Sequence, residues 1–361
     1  MSTDGAVRRV PLRDDLAGVT PYGAPQLDVA VRLNTNETAT PPPHAYLADV
    51  AERLPGLGLH RYPDREHLAL RAAIAARFGL TTDQVWAANG SNEVLVQLLQ
   101  AYGGPGRLAV HTRPGYSMYP ELCRTTLTPA RHLDLDDDLG LTAETAAADV
   151  AELDPDVVLL PSPNNPVGSL VDHATVRAVH DATRALIVVD EAYVEFAPDG
   201  ASVTPLLGEL PRLVVVRTFS KAFRLAGLRL GYLLAPPWVV EDLHAVRLPY
   251  HLDAIKQLAA LTALEHDVEF LDHRELVAAE RGRVTTALRR HDELTVYDSA
   301  ANFVLVRSLE VPLFDALLDH GVLVRDFSDR PRLDGCVRVT IGTPDENDAF
   351  LAAVTAVLEN R

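Results

Sequence analysis

Continuous apolar runs constrain the fold of this chain more than any other feature of its sequence. Polar turns follow these runs, and stretches with helical spacing separate them along the chain. Runs that do not alternate with polar residues are typical of strands that helices cover on both faces. The runs predict strands at 108–111, 157–161, 186–190, 213–217 and 230–235. Apolar residues at helical spacing predict helices at 66–78 and 94–102.

An alternating order of strands and helices indicates an α/β fold. We expect a large domain with a mainly parallel sheet in three αβα layers, with ligands at the carboxyl ends of its strands. After Ala235 the pattern changes to a helical stretch that reaches Arg290, followed by strands at 295–297, 303–307 and 337–341 and a helix at 311–320. This part predicts a smaller α+β domain. The predicted division is an N-terminal arm at 1–40 that packs with the small domain, a large domain at 41–240 and the small domain at 241–361.

The charge balance limits the partners that we expect. The 361 residues carry a formal net charge of -17 at pH 7, which argues against a nucleic-acid partner. An anionic substrate therefore requires a local cluster of arginines. The acidic run at 134–138 lacks the glycine and distal glutamate of a calcium loop, so we expect a solvated turn and no metal. Cys123 and Cys336 are far apart and no run reaches the roughly 18 apolar residues of a membrane span, so we expect a cytoplasmic protein without a membrane partner.

Lys221 lies in a short turn directly after the predicted strand 213–217. Ser220 precedes this lysine, and Arg229 follows it between small residues. A lysine in this position can form an imine with an aldehyde cofactor, while Ser220 and Arg229 hold an anionic group of that cofactor. We therefore interpret the stretch from Arg217 to Tyr232 as a site for pyridoxal 5'-phosphate.

Other segments offer the remaining groups that this cofactor requires. Ser91 and Asn92 follow Gly90 at the start of a predicted helix, where backbone amides can hold a phosphate. Asp190 ends a buried strand and can pair with the ring nitrogen, and Tyr193 can reach the phenolic oxygen.

Each of these segments also has an ordinary structural explanation. Ser91 is a good N-cap, and Asp190 can cap the next helix. Asn165 can donate an amide to the phenolic oxygen, but asparagine and proline also serve turns. Tyr116 can stack on the ring or simply pack. All of these residues follow successive strands, and together they supply every group on the list.

The combined pattern resembles the fold-type-I pyridoxal-phosphate-dependent aminotransferases, and within them the histidinol-phosphate aminotransferase family. Besides the segments above, the markers are 33–37, 61–64 and 335–343, and the resemblance spans roughly residues 20 to 355. It implies transfer of an amino group from L-histidinol phosphate to 2-oxoglutarate, which gives imidazole-acetol phosphate and L-glutamate in histidine biosynthesis.

The resemblance also implies roles for individual residues. Lys221 is implied to be the Schiff-base lysine and the group that moves a proton between Cα and C4′. Asp190 is implied to pair with the ring nitrogen, Asn165 and Tyr193 to contact the phenolic oxygen, and Tyr116 to stack on the ring. The implied phosphate ligands are Ser91, Asn92, Ser220, Arg229 and, from the neighbouring subunit of a homodimer, Tyr62. The implied substrate ligands are Arg338, Arg325, Tyr22 and Asn165.

Two positions depart from the family pattern, and other activities share most of it. Val167 stands where relatives usually carry threonine, without an expected catalytic loss. Arg224 is a charge where many relatives have an apolar residue, and it would alter anion preference if it pointed into the cleft. The alternatives are an aromatic-amino-acid aminotransferase, a threonine-phosphate-type decarboxylase that uses the same cofactor, and a cofactor-binding regulator. The last alternative requires a DNA-binding module, for which the short N-terminal segment leaves no room.

Overall fold

The computed structural model describes residues 10–19 and 23–359. In this part of the chain the helices are α1 (His44–Arg53), α2 (Leu68–Phe78), α3 (Ser91–Tyr102), α4 (Met118–Thr125), α5 (Ala143–Leu153), α6 (His173–Ala182), α7 (Pro237–Leu243), α8 (Ala254–Glu265), α9 (Asp267–Leu271), α10 (Arg274–Leu288), α11 (Leu313–Asp319) and α12 (Pro344–Glu359). The strands are β1 (Val31–Arg32), β2 (Val85–Ala88), β3 (Ala109–Arg113), β4 (Ala130–Asp134), β5 (Val157–Pro161), β6 (Leu186–Asp190), β7 (Leu213–Thr218), β8 (Gly231–Leu234), β9 (Thr295–Val296), β10 (Phe303–Arg307), β11 (Val322–Leu323), β12 (Arg325–Asp326) and β13 (Cys336–Thr340). None of these helices is long and apolar enough to cross a bilayer.

A seven-stranded sheet with the order β2-β8-β7-β6-β5-β3-β4 forms the centre of the fold. Strand β8 runs antiparallel to β2 and β7, and the other neighbouring pairs are parallel. The sheet is therefore mainly parallel, as the apolar runs predict. The carboxyl ends of β2, β3, β5, β6 and β7 lie at one edge, and β8 begins at that edge.

The continuous apolar strands have a core on each face of this sheet. Val158 and Leu160 of β5 pack into one hydrophobic cluster, and Val157 and Leu159 pack into the cluster on the opposite face. All four side chains are fully buried. Burying one such side chain stabilises the folded state by about 1.5–3 kcal/mol, so both faces hold the strand in register.

The second sheet has four antiparallel strands in the order β12-β13-β10-β9. Strand β1 pairs in parallel with β11, which places the N-terminal segment beside this part of the chain. The division of the chain at residues 40 and 240 stays a prediction.

The sequence analysis did not assign several elements, among them β2, β4 and α4 to α6. Strand β4 lies at the edge of the sheet, and only Leu133 in it is buried, so it has no apolar run. Helix α3 begins at Ser91 rather than at 94 because Gly90, with φ 88°, is the N-cap. Ser91 is therefore the first helical residue and not the cap.

Candidate active site

A cavity of about 250 Å³ lies where the parallel strands of the large sheet end. The predicted site residues that line it are Ser91, Asn92, Tyr116, Asn165, Asp190, Tyr193, Ser220, Lys221, Arg229, Arg325 and Arg338. Tyr22 lies outside the described residues. Tyr62 does not line the cavity; it is exposed and stacks on Tyr250 with 4.4 Å between the ring centres.

Lys221 extends its amine into this cavity. Its Nζ donates hydrogen bonds to the carbonyl oxygens of Thr35 at 3.2 Å and Asn36 at 3.0 Å. Burial and the nearby guanidinium of Arg338 lower the pKa of Lys221 to about 7, although Glu37 acts in the opposite direction. A substantial fraction of this amine is therefore neutral near pH 7, as a nucleophile or general base must be.

Asp190 is a buried carboxylate whose hydrogen-bond donors, among the described residues, are neutral. Its Oδ2 accepts from the Tyr119 hydroxyl at 3.2 Å, and its Oδ1 accepts from the Ala192 amide at 3.2 Å. Burial raises the pKa of Asp190 to about 6. A cation placed in the cavity beside this carboxylate would reverse that shift, since the charged pair is favoured over its separated parts in a poorly solvated place.

The next residue, Glu191, has a different environment. Glu191 is fully buried and lies 2.7 Å from Arg217, which also pairs with Glu195 at 3.0 Å. Of the two acids at the end of β6, only Asp190 lines the cavity. Strand geometry explains this difference, because successive side chains point to opposite faces of a sheet.

The start of α3 forms a cradle for an anion. The hydrogen bonds of the helix begin with the Glu93 amide, which donates to the Gly90 carbonyl at 3.2 Å, so the amides of Ser91 and Asn92 precede them. Gly231 allows β8 to approach this turn, because a Cβ on Gly231 would lie 2.2 Å from the Ser91 nitrogen. Amides at a helix N-terminus favour a negative charge such as a phosphate.

Arg229 and Ser220 close the other side of this cradle. Nη1 of Arg229 donates to Ser220 Oγ at 3.2 Å. Nη2 of Arg229 lies 3.0 Å from the position that a Cβ on Gly90 would occupy. Two glycines without side chains thus leave space between a guanidinium and the helix N-terminus.

Tyr193 and Tyr116 line a further side of the cavity, and both contact side-chain amides of asparagines. The hydroxyl of Tyr193 accepts from Asn165 Nδ2 at 3.3 Å and from Asn36 Nδ2 at 3.1 Å. The hydroxyl of Tyr116 donates to Asn92 Oδ1 at 3.2 Å, and its ring packs edge-on against Tyr119.

Arg325 and Arg338 lie opposite each other on β12 and β13. Directly opposed residues of an antiparallel pair point to the same face, and both of these arginines line the cavity. Nη1 of Arg338 donates to Asn165 Oδ1 at 2.5 Å, and Nη2 donates to the Asn34 carbonyl at 2.8 Å. Nη1 of Arg325 donates to the Gly23 carbonyl at 3.0 Å. Paired guanidinium groups in a cleft can bind a carboxylate or a phosphate.

The two positions that depart from the family pattern lie away from the cavity. Arg224 Nε donates to His273 Nδ1 at 3.0 Å, and the guanidinium also contacts Asp272. It therefore points toward the α9–α10 corner and does not line the cavity. Val167 is buried in a small cluster with Leu305 and Phe327.

Sequence reasoning missed Asn34, which lines the cavity, and two residues that contact its lining, Tyr119 and Asn36. Tyr119, which holds Asp190, is one helical turn from Tyr116, and that spacing was the available signal. Asn34 and Asn36 lie in the segment 33–37, which the sequence analysis treated only as a family marker. Their contacts with β13 depend on tertiary structure.

Comparisons with known proteins agree with this geometry. The family model "Aminotransferase class I and II" matches residues 28–354. A histidinol-phosphate aminotransferase of Paenarthrobacter aurescens (strain TC1) is 46% identical over 97% of this chain and 96% of its own length. One of Mycolicibacterium smegmatis is 48% identical over 95% of this chain and 92% of its own.

Solved structures of two enzymes have the same fold. The histidinol-phosphate aminotransferase of Sinorhizobium meliloti, in complex with pyridoxal-5'-phosphate, matches with a TM-score of 0.83 and 26% identity over 92% of both chains. The L-threonine-O-3-phosphate decarboxylase of Porphyromonas gingivalis matches with a TM-score of 0.80 and 25% identity over 91% of this chain and 100% of its own. The predicted fold is confirmed.

Proposed function

Because the chain belongs to the class I and II aminotransferase family, we propose that it transfers the amino group of L-histidinol phosphate to 2-oxoglutarate. The products are imidazole-acetol phosphate and L-glutamate, as in histidine biosynthesis. Relatives that are 46–48% identical over nearly the full chain support this reaction. The predicted family, enzyme class and cofactor are confirmed, and the roles of individual residues stay predictions.

The cavity residues fit pyridoxal 5'-phosphate. The buried carboxylate of Asp190, with neutral donors on both oxygens, suits a protonated ring nitrogen. The glycine-lined cradle at the start of α3, closed by Arg229, suits the phosphate. The Lys221 amine suits the aldehyde. When bound, the cofactor supplies that aldehyde and an electron-withdrawing ring that stabilises negative charge at Cα of the substrate.

In the proposed mechanism, Lys221 moves the proton. Its lowered pKa, about 7, lets Nζ accept a proton from Cα of the amino donor and release it again near neutral pH. Asp190 keeps its negative charge against the ring nitrogen, and the Tyr119 hydroxyl holds that carboxylate in place. Tyr193 and Asn165 orient the phenolic oxygen.

The arginine pair is the observation that carries the substrate assignment. Arg325 and Arg338 face one cavity that also contains Lys221. The amino donor brings a phosphate and the acceptor brings carboxylates, and a planar guanidinium can bind both in bidentate geometry. In a chain with a net charge of -17, this local pair supplies the attraction that the overall field does not.

The proposed enzyme is a homodimer in which Tyr62 reaches the cofactor phosphate of the neighbouring subunit. The 80% exposed ring of Tyr62, stacked on Tyr250, supports this arrangement because a large aromatic ring on a surface is typical of an interface. We propose a cytoplasmic location. The buried free thiols of Cys123 and Cys336 are consistent with a reducing compartment.

A substrate screen on the cofactor-loaded protein tests this proposal. Glutamate formation from 2-oxoglutarate should be faster with histidinol phosphate than with phenylalanine, and threonine phosphate should release no carbon dioxide. Without a keto acid, histidinol phosphate should yield one keto product per subunit and then stop. A preference for phenylalanine would identify an aromatic aminotransferase, and continued carbon dioxide release would identify a decarboxylase.

A further inference from the structure

The hydroxyl of Tyr193 is an acceptor for two different amides. Asn165 Nδ2 donates to it at 3.3 Å, and Asn36 Nδ2 donates to it at 3.1 Å. A phenol hydroxyl can accept a hydrogen bond through its oxygen and donate one through its hydrogen. Because two amides already donate to this oxygen, Tyr193 is suited to act as a donor toward a ligand in the cavity.

The orientation of the Asn36 amide is set by Thr340 of β13. The Thr340 hydroxyl accepts from the Asn36 backbone amide at 3.0 Å and donates to Asn36 Oδ1 at 3.2 Å. The oxygen of the side-chain amide therefore points to Thr340 and its nitrogen to Tyr193. Asn36 is fully buried, so water does not compete for these bonds.

The backbone of Asn36 also contacts the reactive lysine. Its carbonyl oxygen accepts from Lys221 Nζ at 3.0 Å and from Asn302 Nδ2 at 3.2 Å. Asn36 has φ 54°, a left-handed conformation that asparagine adopts more readily than most residues. One residue thus touches the lysine through its backbone and the tyrosine through its side chain.

We propose that Asn36 is a positioning residue for the transaminase reaction. Together with Thr340 it forms a relay from strand β13 to the Tyr193 hydroxyl, and this relay makes Tyr193 a stronger donor to the phenolic oxygen of the cofactor. This inference rests on the proposed function and deepens it. The sequence analysis gave neither Asn36 nor Thr340 a role.

The relay should affect how the visible absorbance of the cofactor-loaded enzyme depends on pH. A weaker donor leaves more electron density on the phenolic oxygen, which holds the proton of the adjacent Lys221 nitrogen more firmly. The visible absorbance of the loaded enzyme changes when this nitrogen loses its proton. Loss of the relay should therefore raise the pH midpoint of that absorbance change by about half a pH unit. The charged groups around this nitrogen, Arg338, Arg229, Glu37 and Asp190, stay in place in every variant.

Four variants test the relay in the cofactor-loaded protein. Asn36→Gly removes the amide but tolerates the positive φ, and Thr340→Val removes the hydroxyl at nearly constant volume. Both should raise the midpoint. The double variant should shift it no further than Asn36→Gly alone, because Thr340 acts through Asn36. Thr340→Ser keeps the hydroxyl and should restore the wild-type midpoint.

Thr262→Val is the matched control for loss of a buried threonine hydroxyl. Thr262 is fully buried in α8 and donates to the Leu258 carbonyl at 3.0 Å. Thermal unfolding of the cofactor-free control should show a loss of stability. The absorbance midpoint of its cofactor-loaded form should not shift.

The outcomes separate the relay from a purely structural role. An unshifted midpoint in Asn36→Gly, or a double variant whose shift is the sum of the two single shifts, overturns the relay. If Asn36→Gly does not fold, the contrast between Thr340→Val and Thr340→Ser decides. A wild-type protein that takes up no cofactor refutes the proposed function itself, and the relay with it.

Discussion

Replacing Asp190 by asparagine should change stability in opposite directions with and without the cofactor. In the cofactor-free protein, burial raises the pKa of Asp190 from the ordinary 3.8 to about 6. The folded state then holds a proton that the unfolded state releases in this interval. The favourable contribution is fully present below pH 3.8 and is lost as pH rises through about 6.

The size of the effect follows from that interval. At pH 7 the ionised carboxylate costs the cofactor-free fold about 3 kcal/mol. Asparagine is uncharged and nearly isosteric; its oxygen can still accept from the Ala192 amide, and its nitrogen can donate to the Tyr119 hydroxyl. Asp190→Asn should therefore stabilise the cofactor-free protein above pH 6 and leave it unchanged near pH 4.

Urea unfolding of both cofactor-free proteins between pH 4 and pH 8 measures this difference. The cofactor should reverse the order, because asparagine cannot neutralise a protonated ring, and cofactor affinity should fall about tenfold or more. Asp134→Asn, at the end of the edge strand β4 of the same sheet, is the control. The hydrogen bond from Arg113 lowers the pKa of Asp134, so its charge is stabilising above the unfolded pKa and this substitution should weaken the fold at neutral pH. A cofactor-free Asp190→Asn protein that is less stable than wild type at pH 7 would refute the argument.

Two further predictions concern the lysine and the phosphate cradle. The rate of cofactor uptake by the cofactor-free protein should rise with pH and reach half its maximum near pH 7, because the pKa of Lys221 is lowered to about 7 and only the neutral amine reacts. Stopped-flow absorbance measures this rate. A rate that rises only toward the ordinary lysine pKa of 10.5 would contradict the lowered pKa. Gly231→Ala should weaken cofactor binding about tenfold or more, because a Cβ 2.2 Å from the Ser91 nitrogen displaces the start of α3. Gly282→Ala in α10, where a Cβ meets no atom within 4 Å, is the control. It should bind the cofactor normally, and its free energy of unfolding should rise by about 0.5–1 kcal/mol. Equal cofactor dissociation constants for the two variants would contradict the proposed phosphate cradle.

Local patterns predicted the elements that carry a continuous apolar run. Strands β5 and β6 begin and end where the predicted strands do, because each is buried on both faces and is apolar apart from Asp190 at the end of β6. Strand β4 has one buried residue and was missed. The start of α3 was predicted three residues late because the positive φ of Gly90 determines it.

The chemistry of the site could be predicted where it depends on a residue type after a strand. Lys221 and Asn165 each follow a strand of the mainly parallel sheet and Asp190 ends one, and that topology places their side chains at one edge. Arg224 was different. The sequence could not tell into which neighbour this side chain would pack, and the structure places it against His273 and Asp272.

The sequence by itself determined the mainly parallel sheet, the lysine at the carboxyl ends of its strands and the acid at the end of the adjacent strand. The local order of apolar runs, helical stretches and turns is enough to predict which strands are buried and in which direction they run. Only the tertiary structure decided the electrostatics and the relay. The lowered pKa of Lys221, the raised pKa of Asp190 and the bonds from Thr340 through Asn36 to Tyr193 arise between residues up to 304 positions apart in the chain. Such contacts depend on how the strands and the N-terminal segment pack in three dimensions, and no local spacing encodes that packing.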